Sequence, residues 1–226
     1  MAILYMVATP VGNLQDITYR AVEVLKEVDI IACEDTRHSA KLLNHYGIQK
    51  HLISCRARNE KQSAPGIVKL LDEGKNIAYV SDAGTPVISD PGRLLVRCAR
   101  DAGHEIYPIP GASAFSTLIS VCGFHGKSYL FEGFLSPKSG KRKKRLTELL
   151  ERNEAFMLYE SPYRVIKVLQ EIGELDPERE ILMGREMTKK FEEYIEGTAD
   201  NLIYRLESEN HAKGEFALLV SAEKKG

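Results

Sequence analysis

Apolar and polar positions along this chain alternate between short β-rich runs and longer stretches of helical period. Ile3 to Ala8 is an apolar run that ends in the turn Thr9-Pro10-Val11-Gly12-Asn13. Asp16 or Thr18 then caps an amphipathic helix with Ala21, Val22, Val24, Leu25 and Val28 on or near its inner face. Asp29 to Cys33 reads as a second strand, with Glu34-Asp35-Thr36-Arg37 at its carboxyl end and a helix through Lys41-Leu42-Leu43 that closes at Gly47. Leu52-Ile53-Ser54 is a third strand, followed by the polar loop Arg56 to Glu60 and a helix around Ile67 to Leu71. Ile77 to Val80 is apolar throughout, as a buried strand requires, and a helical pattern returns at Leu94 to Ala99. Glu105 to Ile109 makes a fifth strand, and Ser113 caps a helix from Phe115 to Val121. Strands alternating with helices predict a parallel sheet covered on both faces.

The alternation pauses at Gly123-Phe124-His125-Gly126-Lys127, which places a domain boundary there and divides the chain into 1–122 and 123–226. The second half has a different grammar. The strand Tyr129 to Phe134 leads into a basic loop, Lys138 to Arg145, and then a helix from Leu146 to Leu150. The strand Ala155 to Tyr159 is followed by Glu160-Ser161-Pro162 and the helix Val165 to Ile172. Ile181 to Gly184 ends in Arg185-Glu186-Met187-Thr188-Lys189; Phe191 to Glu196, a helix near Leu202 to Leu206 and Phe216 to Ala222 complete the chain. Strands without intervening helices predict a mixed sheet, so the fold class is α/β in two αβα domains.

Between the fourth strand and its helix lies the stretch Val80 to Gly92, with two prolines, two glycines and two aspartates. Open α/β sheets bind ligands at the carboxyl ends of their strands, and this loop exceeds the short connections usual in such folds. Ser81, Asp82, Thr85, Ser89 and Asp90 give it polar groups. It is expected to be the centre of a binding site, with Ser89 and Asp90 open between that site and the cap of the following helix.

Composition removes several classes of function. At 226 residues and 43% hydrophobic, the chain has enough material for real cores. A net charge of −1 gives no global attraction to nucleic acid or membrane, so any such preference is local. Cys33, Cys55, Cys98 and Cys122 have no metal-ligand spacing and read as thiols of a reducing compartment. The first residues lack a basic leader and read as a strand, and no apolar run approaches the roughly 20 residues of a membrane helix. A cytoplasmic protein without a metal is the expectation.

Motifs narrow the chemistry further. Gly126-Lys127-Ser128 resembles the end of a phosphate-binding loop, but the earlier glycine that such a loop needs falls on Val121. No G-x-G-x-x-G, G-x-S-x-G or H-E-x-x-H occurs. What remains are strand-end loops rich in Gly, Pro, Ser and acids, which suit a small polar zwitterion better than a polyphosphate.

Several blocks are then recognisable together. Ala8-Thr9-Pro10-Val11-Gly12-Asn13-Leu14, Glu34-Asp35-Thr36-Arg37, the Ser81–Gly92 loop, Phe131-Glu132-Gly133-Phe134, Tyr159-Glu160-Ser161-Pro162, Arg185 to Lys189 and Lys213-Gly214-Glu215-Phe216 resemble the tetrapyrrole methylase superfamily, and more closely its ribosomal branch. The resemblance runs along essentially the whole chain, in order. It implies two domains with S-adenosylmethionine in the cleft between them, and 2'-O-methylation of a cytidine in the decoding region of 16S rRNA, as free RNA or in the 30S subunit, by a homodimer. Departures exist. The family usually has a His-Glu-His-Asn-Glu-like stretch where this chain reads Arg56-Ala57-Arg58-Asn59-Glu60, and Pro110-Gly111-Ala112-Ser113 replaces Pro-Gly-Pro-Ser. The chain ends soon after the last strand, so any RNA contact made by a small helical extension in some members is expected to be dispensable or supplied elsewhere.

Roles follow from position and resemblance combined. The cofactor is expected on Ser81, Asp82, Ala83, Gly84, Thr85 and Pro86, joined by family analogy by Ser113, Ala114, Leu158, Tyr159, Phe216 and Ala217. Asp82 and Ser113 also fit plain turn and cap roles. For the acceptor, Pro10, Gly12, Asn13, Asp35, Thr36, Arg37, Asn59, Glu60 and Lys189 are candidates, and Arg37 or Arg185 could clamp phosphate. A ribose hydroxyl needs a base or an orienter, for which Glu34 and Glu186 stand first, with Asn13 and Arg185 beside them; either acid also fits an ion-pair role with Arg37 or Arg185. Lys138, Lys141, Arg142, Lys143, Lys144 and Arg145 read as a local phosphate patch or, more plainly, as a solvated face. Two other functions remain open: methylation of a small tetrapyrrole-like or diphthamide-type substrate, and a non-catalytic RNA-binding assembly factor.

Overall fold

In the computed structural model, which describes residues 2–124, 127–152, 154–208 and 213–224, the chain forms two compact units, Met1–Ser113 and Ala114–Gly226. The division falls before the helix Ala114–Ser120 rather than after Cys122, because that helix buries Leu118 with Met157, Leu182, Ala217 and Leu219 of the second unit. His125 and Gly126 of the glycine-rich stretch, the latter also part of the phosphate-loop look-alike, lie outside the described residues.

The first unit contains β1 (Ile3–Val7), α1 (Tyr19–Glu27), β2 (Ile30–Cys33), α2 (Thr36–His45), β3 (His51–Ser54), α3 (Glu60–Asp72), β4 (Ile77–Val80), α4 (Arg93–Asp101) and β5 (Glu105–Ile109). Its strands lie in the order β3-β2-β4-β1-β5, and every pairing is parallel. All residues of β2 and β4 are buried, which is why those segments are continuously apolar. Alternation across β4 feeds two cores. Ile77 and Tyr79 pack with Ala64, Ile67 and Leu71 of α3 and Leu95 and Ala99 of α4. Ala78 and Val80 pack with Ala21 and Leu25 of α1 and Leu43 of α2. Pro108, which has no N–H to give a ladder, sits on the edge strand β5. Parallel pairing puts the loops after all five strands at one end of the sheet, with β4 at its middle.

The second unit contains α5 (Ala114–Ser120), β6 (Tyr129–Phe134), α6 (Ser139–Glu151), β7 (Ala155–Glu160), α7 (Val165–Leu175), β8 (Arg179–Arg185), β9 (Glu193–Gly197), α8 (Ala199–Ser208) and β10 (Phe216–Lys224). The order is β6-β7-β10-β8-β9; β6 and β7 are parallel and the other pairs antiparallel, the mixed sheet the pattern predicts. One face carries Phe156, Leu158, Ile181, Met183, Phe216 and Leu218 under Leu146 of α6, Leu169 of α7 and Leu202 of α8. The other packs Met157, Leu182 and Leu219 against Leu118 of α5 and Met187. The basic run is not a loop. α6 begins at Ser139, so these residues are its first turns, and Arg142 lies on the buried side with Leu146 and Leu149. No helix among the described residues is long and apolar enough to cross a membrane.

Candidate functional site

The loop after β4 is hydrogen-bonded to segments that follow every other strand of its sheet. After β1, Thr9 and Gly84 form an antiparallel bridge, with Thr9 N–H donating to the Gly84 carbonyl at 2.9 Å and Gly84 N–H to the Thr9 carbonyl at 3.1 Å. After β2, the Asp35 N–H donates to Asp82 Oδ1 at 3.1 Å. After β5, the Thr85 hydroxyl donates to the Ala112 carbonyl at 3.0 Å. After β3, Glu60 Oε1 accepts from the N–H groups of Gly92, Leu94 and Leu95 at 2.9, 2.9 and 3.1 Å. Glu60 therefore caps α4 from another helix, and neither Ser89 nor Asp90 serves as that cap.

The loop is also strained. Val87 has φ +76°, a left-handed conformation in which a β-branched residue is a genuine outlier. Gly92 has φ +120°, and a Cβ there would stand 2.9 Å from Tyr79 Cε1 and 3.1 Å from Val87 Cγ2. Only glycine satisfies both the dihedral and the space.

Three carboxylates gather at this end of β2 and β4. Asp82 and Asp90 are close enough for their charges to act on Glu34, and that of Asp82 acts on Asp90. Burial raises the Glu34 carboxyl above the ordinary range, and the charges of Asp82 and Asp90 add to this, with the Asp82 backbone opposing. Burial likewise raises Asp90, with Ser81 opposing and Asp82 reinforcing. No Lys, Arg or His forms an ion pair with any of the three among the described residues. They are not arranged as ligands either: no metal-holding group of three or more His, Cys, Asp or Glu occurs there. The result is a negative field without an internal counter-ion, which fits a small cationic ligand and does not fit a polyphosphate. Asp90 is the member that sequence spacing did not assign. Its release depends on Glu60 taking the cap, a contact no local pattern shows.

The remaining predicted residues of this unit divide by what already occupies them. Ser81 is buried and turns its hydroxyl inward, while Gly84 spends both backbone groups on Thr9 and Pro86 is buried. Asp82, the exposed Ala83 and the half-buried Thr85 are the reachable part of that run. Pro10 is buried; Gly12 and Asn13 are exposed, although Asn13 Oδ1 accepts the Gln15 N–H at 3.1 Å as the cap of a single 3-10 turn. Asp35 caps α2 through the Arg37 and His38 N–H groups, which holds its carboxyl below the usual range, with the Arg37 guanidinium also contributing. Thr36 opens α2 half-buried, and the Arg37 side chain is 88% exposed with only a 3.4 Å contact to Asp35. Asn59 Oδ1 accepts the Arg56 N–H at 2.7 Å, so Asn59 and Glu60 both have structural work. Arg56, Ala57 and Arg58 are exposed.

Candidates in the second unit are more fully committed. Arg185 is buried, with Nε donating to the Lys213 carbonyl at 2.8 Å and Nη1 to Glu193 at 2.7 Å. Glu186 Oε1 accepts from Lys189 Nζ and from the Glu215 N–H, each at 2.9 Å. Burial pushes its carboxyl up, but the Lys189 ammonium, the Glu215 N–H and the Arg185 charge outweigh this and hold it below the ordinary range. A raised carboxyl suits a general base better than a lowered one, and Glu186 pins the Lys189 ammonium and the Glu215 N–H. The side chains of Leu158 and Phe216 are buried in one core and that of Ala217 in the other, so any ligand contact there would be through backbone groups. Tyr159 is half-buried between Phe131 and Phe134, with ring centroids 5.0 and 5.8 Å away. Ala114 opens α5 and, like Ser113 before it, is half-buried.

The basic run loses half its members to acids. Arg142 is 2% exposed and makes paired bonds to Glu171 at 2.6 and 2.6 Å, so it does not face RNA. Lys143 pairs with Glu174, and Arg145 with Glu132 and Glu148. Lys138, Lys141 and Lys144 are exposed and have no ion pair among the described residues.

Residues 3–203 match the family described as Tetrapyrrole (Corrin/Porphyrin) Methylases. A protein of Borrelia garinii subsp. bavariensis named ribosomal RNA small subunit methyltransferase I is 51% identical over 96% of this chain and 98% of its own length. Proteins of the same name from Haemophilus influenzae and Thermotoga maritima are 47% and 43% identical, each over 99% of this chain and over 80% and 100% of theirs. Among solved structures, cobalt precorrin-4 methyltransferase, a cobalamin biosynthetic enzyme, superposes with a TM-score of 0.70 at 16% identity, covering 96% of this chain and 94% of its own. The uroporphyrin-III-C-methyltransferase of Thermus thermophilus gives 0.66 at 16% identity, over 98% and 95%. These two share the fold.

Proposed function

The chain belongs to the tetrapyrrole methylase family, within the group of the ribosomal RNA small subunit methyltransferase I proteins, and from this premise we propose that it methylates RNA of the small ribosomal subunit with S-adenosylmethionine as donor. The finer reading is 2'-O-methylation of a cytidine ribose in the decoding region of 16S rRNA, by a cytoplasmic homodimer. The observation that carries the substrate is near-full-length similarity to relatives that bear that name. The carboxylate cluster without a counter-ion supports the cofactor, whose sulfonium and ammonium groups are cations.

When bound, the cofactor supplies an electrophilic methyl group. Asp82 is oriented for it by the Asp35 N–H on Oδ1, which leaves its other oxygen for a hydroxyl or an ammonium. Ala83 and Thr85 are the reachable residues of the same loop, and Ser113 and Ala114 follow the β5 loop to which Thr85 is tied. Glu34 takes the proton of the acceptor hydroxyl. A ribose hydroxyl is a weak nucleophile near neutrality, and a carboxylate raised toward that pH is a better acceptor than an ordinary one. The exposed Gly12, Asn13 and Arg37, in the loops after β1 and β2, serve as acceptor contacts, and the lysines at the start of α6 meet phosphate.

The two alternative functions are weaker. The tetrapyrrole-acting neighbours are similar at 16% identity, which bears on the fold alone. The assembly-factor reading drew on the missing histidines of 56–60. The residues of that stretch that do persist, Asn59 and Glu60, are the ones with structural bonds, and the altered ones are exposed.

The test is to incubate the protein with methyl-labelled S-adenosylmethionine and either free 16S rRNA or 30S subunits, then map the label. Transfer to one of these, at a nucleotide whose 3' phosphodiester resists alkali, is the expected result. Intact cofactor binding without transfer to either RNA would refute the reading.

A further inference from the structure

The second unit carries aromatic side chains that remain largely exposed after its own packing. Phe134, the last residue of β6, is 61% exposed, and Tyr163, in the turn after β7, is 95% exposed. An isolated exposed aromatic is ordinary. These two are brought to one end of the sheet by the parallel pairing of β6 and β7, in which Phe134 lies opposite Tyr159.

They also share a rigid frame. Arg164, the neighbour of Tyr163, donates from Nη2 to the carbonyls of Leu135 at 2.9 Å and Ser136 at 3.3 Å. Arg142 donates from Nη1 to those of Ser136 at 3.3 Å and Pro137 at 3.1 Å. Each guanidinium also pairs with an acid: Arg164 Nη2 with Glu160 at 3.1 Å, and Arg142 with Glu171 at 2.6 Å. Buried ion pairs add little net stability, and here they fix the geometry of the segment that joins Phe134 to Lys138. Beneath Phe134, the rings of Tyr159, Phe131 and Phe115 stack edge-to-face in turn, at 5.8, 5.0 and 5.5 Å.

The lysines past that segment stand where folding alone would not put them. Lys138 is the N-cap of α6, Lys141 and Lys144 lie in its first turns, and the first turn has no acid. Cations at the positive end of a helix are unfavourable, and a bound anion reverses the sign. Aromatic faces for bases beside cations for phosphates are the chemistry of single-stranded nucleic acid. A second copy of this chain is the weaker occupant, since lysine is depleted at protein interfaces.

We infer that Phe134 and Tyr163, with Lys138, Lys141 and Lys144, form a stacking and phosphate-binding surface for single-stranded RNA. The inference rests on the RNA-directed function above and assigns its substrate contact in this unit.

The test uses fluorescence anisotropy with a labelled single-stranded oligoribonucleotide and its duplex, alongside methyl transfer to 30S subunits and free 16S rRNA. Phe134→Ala with Tyr163→Ala is expected to weaken single-strand binding by about ten-fold or more. The salt dependence and duplex binding should be unchanged, and Phe134→Tyr with Tyr163→Phe should retain wild-type binding. Lys141→Glu with Lys144→Glu is expected to lower both affinity and its salt slope. Unchanged oligoribonucleotide binding in both variants, with wild-type methyl transfer intact, overturns the inference and leaves the function standing. A shift to a smaller species on sedimentation with RNA binding unchanged also overturns it, by assigning the surface to a second copy. Failure of the wild type to methylate either RNA, together with loss of oligoribonucleotide binding in the aromatic variant, instead overturns the function and upholds the surface.

Discussion

The loops after β4 and β8 both bring carboxylates to the end of a central region of sheet, and they treat the charge in opposite ways. After β8, Glu186 is answered by Lys189 and a backbone N–H, Lys189 also by Glu215, and Arg185 by Glu193. After β4, Asp82 and Asp90 meet Glu34 of the loop after β2, with the Asp35 N–H on Asp82 but no cation paired with any of the three among the described residues. Both loops contain left-handed non-glycine residues: Val87 in one, Glu186 and Thr188 in the other. Backbone strain therefore does not distinguish them. Charge compensation does, since a group already satisfied inside the protein has little left to give a ligand, whereas a field left open is one that a ligand completes.

The strongest way to break this contrast is a crossed pair of isosteric changes. Glu34→Gln should lower kcat for methyl transfer by about 10²- to 10⁴-fold, the range typical for loss of a general base, with little change in stability. Glu186→Gln should do the reverse, removing about 1–3 kcal/mol of stability as charged bonds to Lys189 and the Glu215 N–H weaken, while kcat stays within a few-fold. Stopped methyl-transfer assays and urea unfolding on the same preparations measure both. A stable, fully active Glu34→Gln protein would end the assignment of Glu34 as base.

A second change examines how the open loop is held. Glu60 gathers the N–H groups of Gly92, Leu94 and Leu95, at the point where the β4 loop becomes α4. Glu60→Ala should cost about 1–2 kcal/mol, as removal of a helix cap does. Because the same contact fixes the far end of the loop, it should also raise KM for the cofactor more than it lowers kcat. Equal stability loss with an unchanged KM would make Glu60 a cap and nothing more.

Much of this was legible in the residues. Continuous apolar runs at Ile30–Cys33 and Ile77–Val80 specify strands buried on both faces, and parallel topology then follows from the helices between them. The β4 loop stood out by length and composition. What local pattern does not show is how partners are shared across long separations. Glu60 caps a helix more than thirty residues on, so it looked like an acceptor contact, and Asp90 looked like a possible cap. Arg142 looked like part of a basic loop because the helix that buries it against Glu171 starts earlier than the apolar spacing from Leu146 indicates. Arg185 and Glu186 stand among the catalytic candidates and Lys189 among the acceptor contacts because they share a distinctive strand-end block, whereas in the structure Glu186 bonds to Lys189 and Arg185 to Glu193. Residue type locates a charged cluster; only its partners tell whether the charge is spent.

The smallest expected effect is also the one that opposes the two loops by sign. Glu34 and Asp90 are raised in the folded protein, first by burial and then by the acids around them. In the unfolded chain they return to about 4.3 and 3.9. Between those values and the raised ones, the folded state binds more protons than the unfolded state, so stability falls as pH rises through that window and is regained on acidification. Glu186 is lowered, its partners outweighing burial. Its contribution is present above the ordinary value for a glutamate and lost as pH falls toward the folded value. Unfolding free energies of wild type, Glu34→Gln with Asp90→Asn, and Glu186→Gln, measured from about pH 7 down to about pH 3, isolate each term by difference. Relative to the first variant, wild type should gain stability on acidification; relative to the second, it should lose it. Solvent reaches the Glu34 cluster, which keeps both slopes shallow. The signs still decide the matter, because two slopes of the same sign would mean that the carboxylates after β4 are compensated just as those after β8 are, and the field proposed to receive a cationic cofactor would not exist.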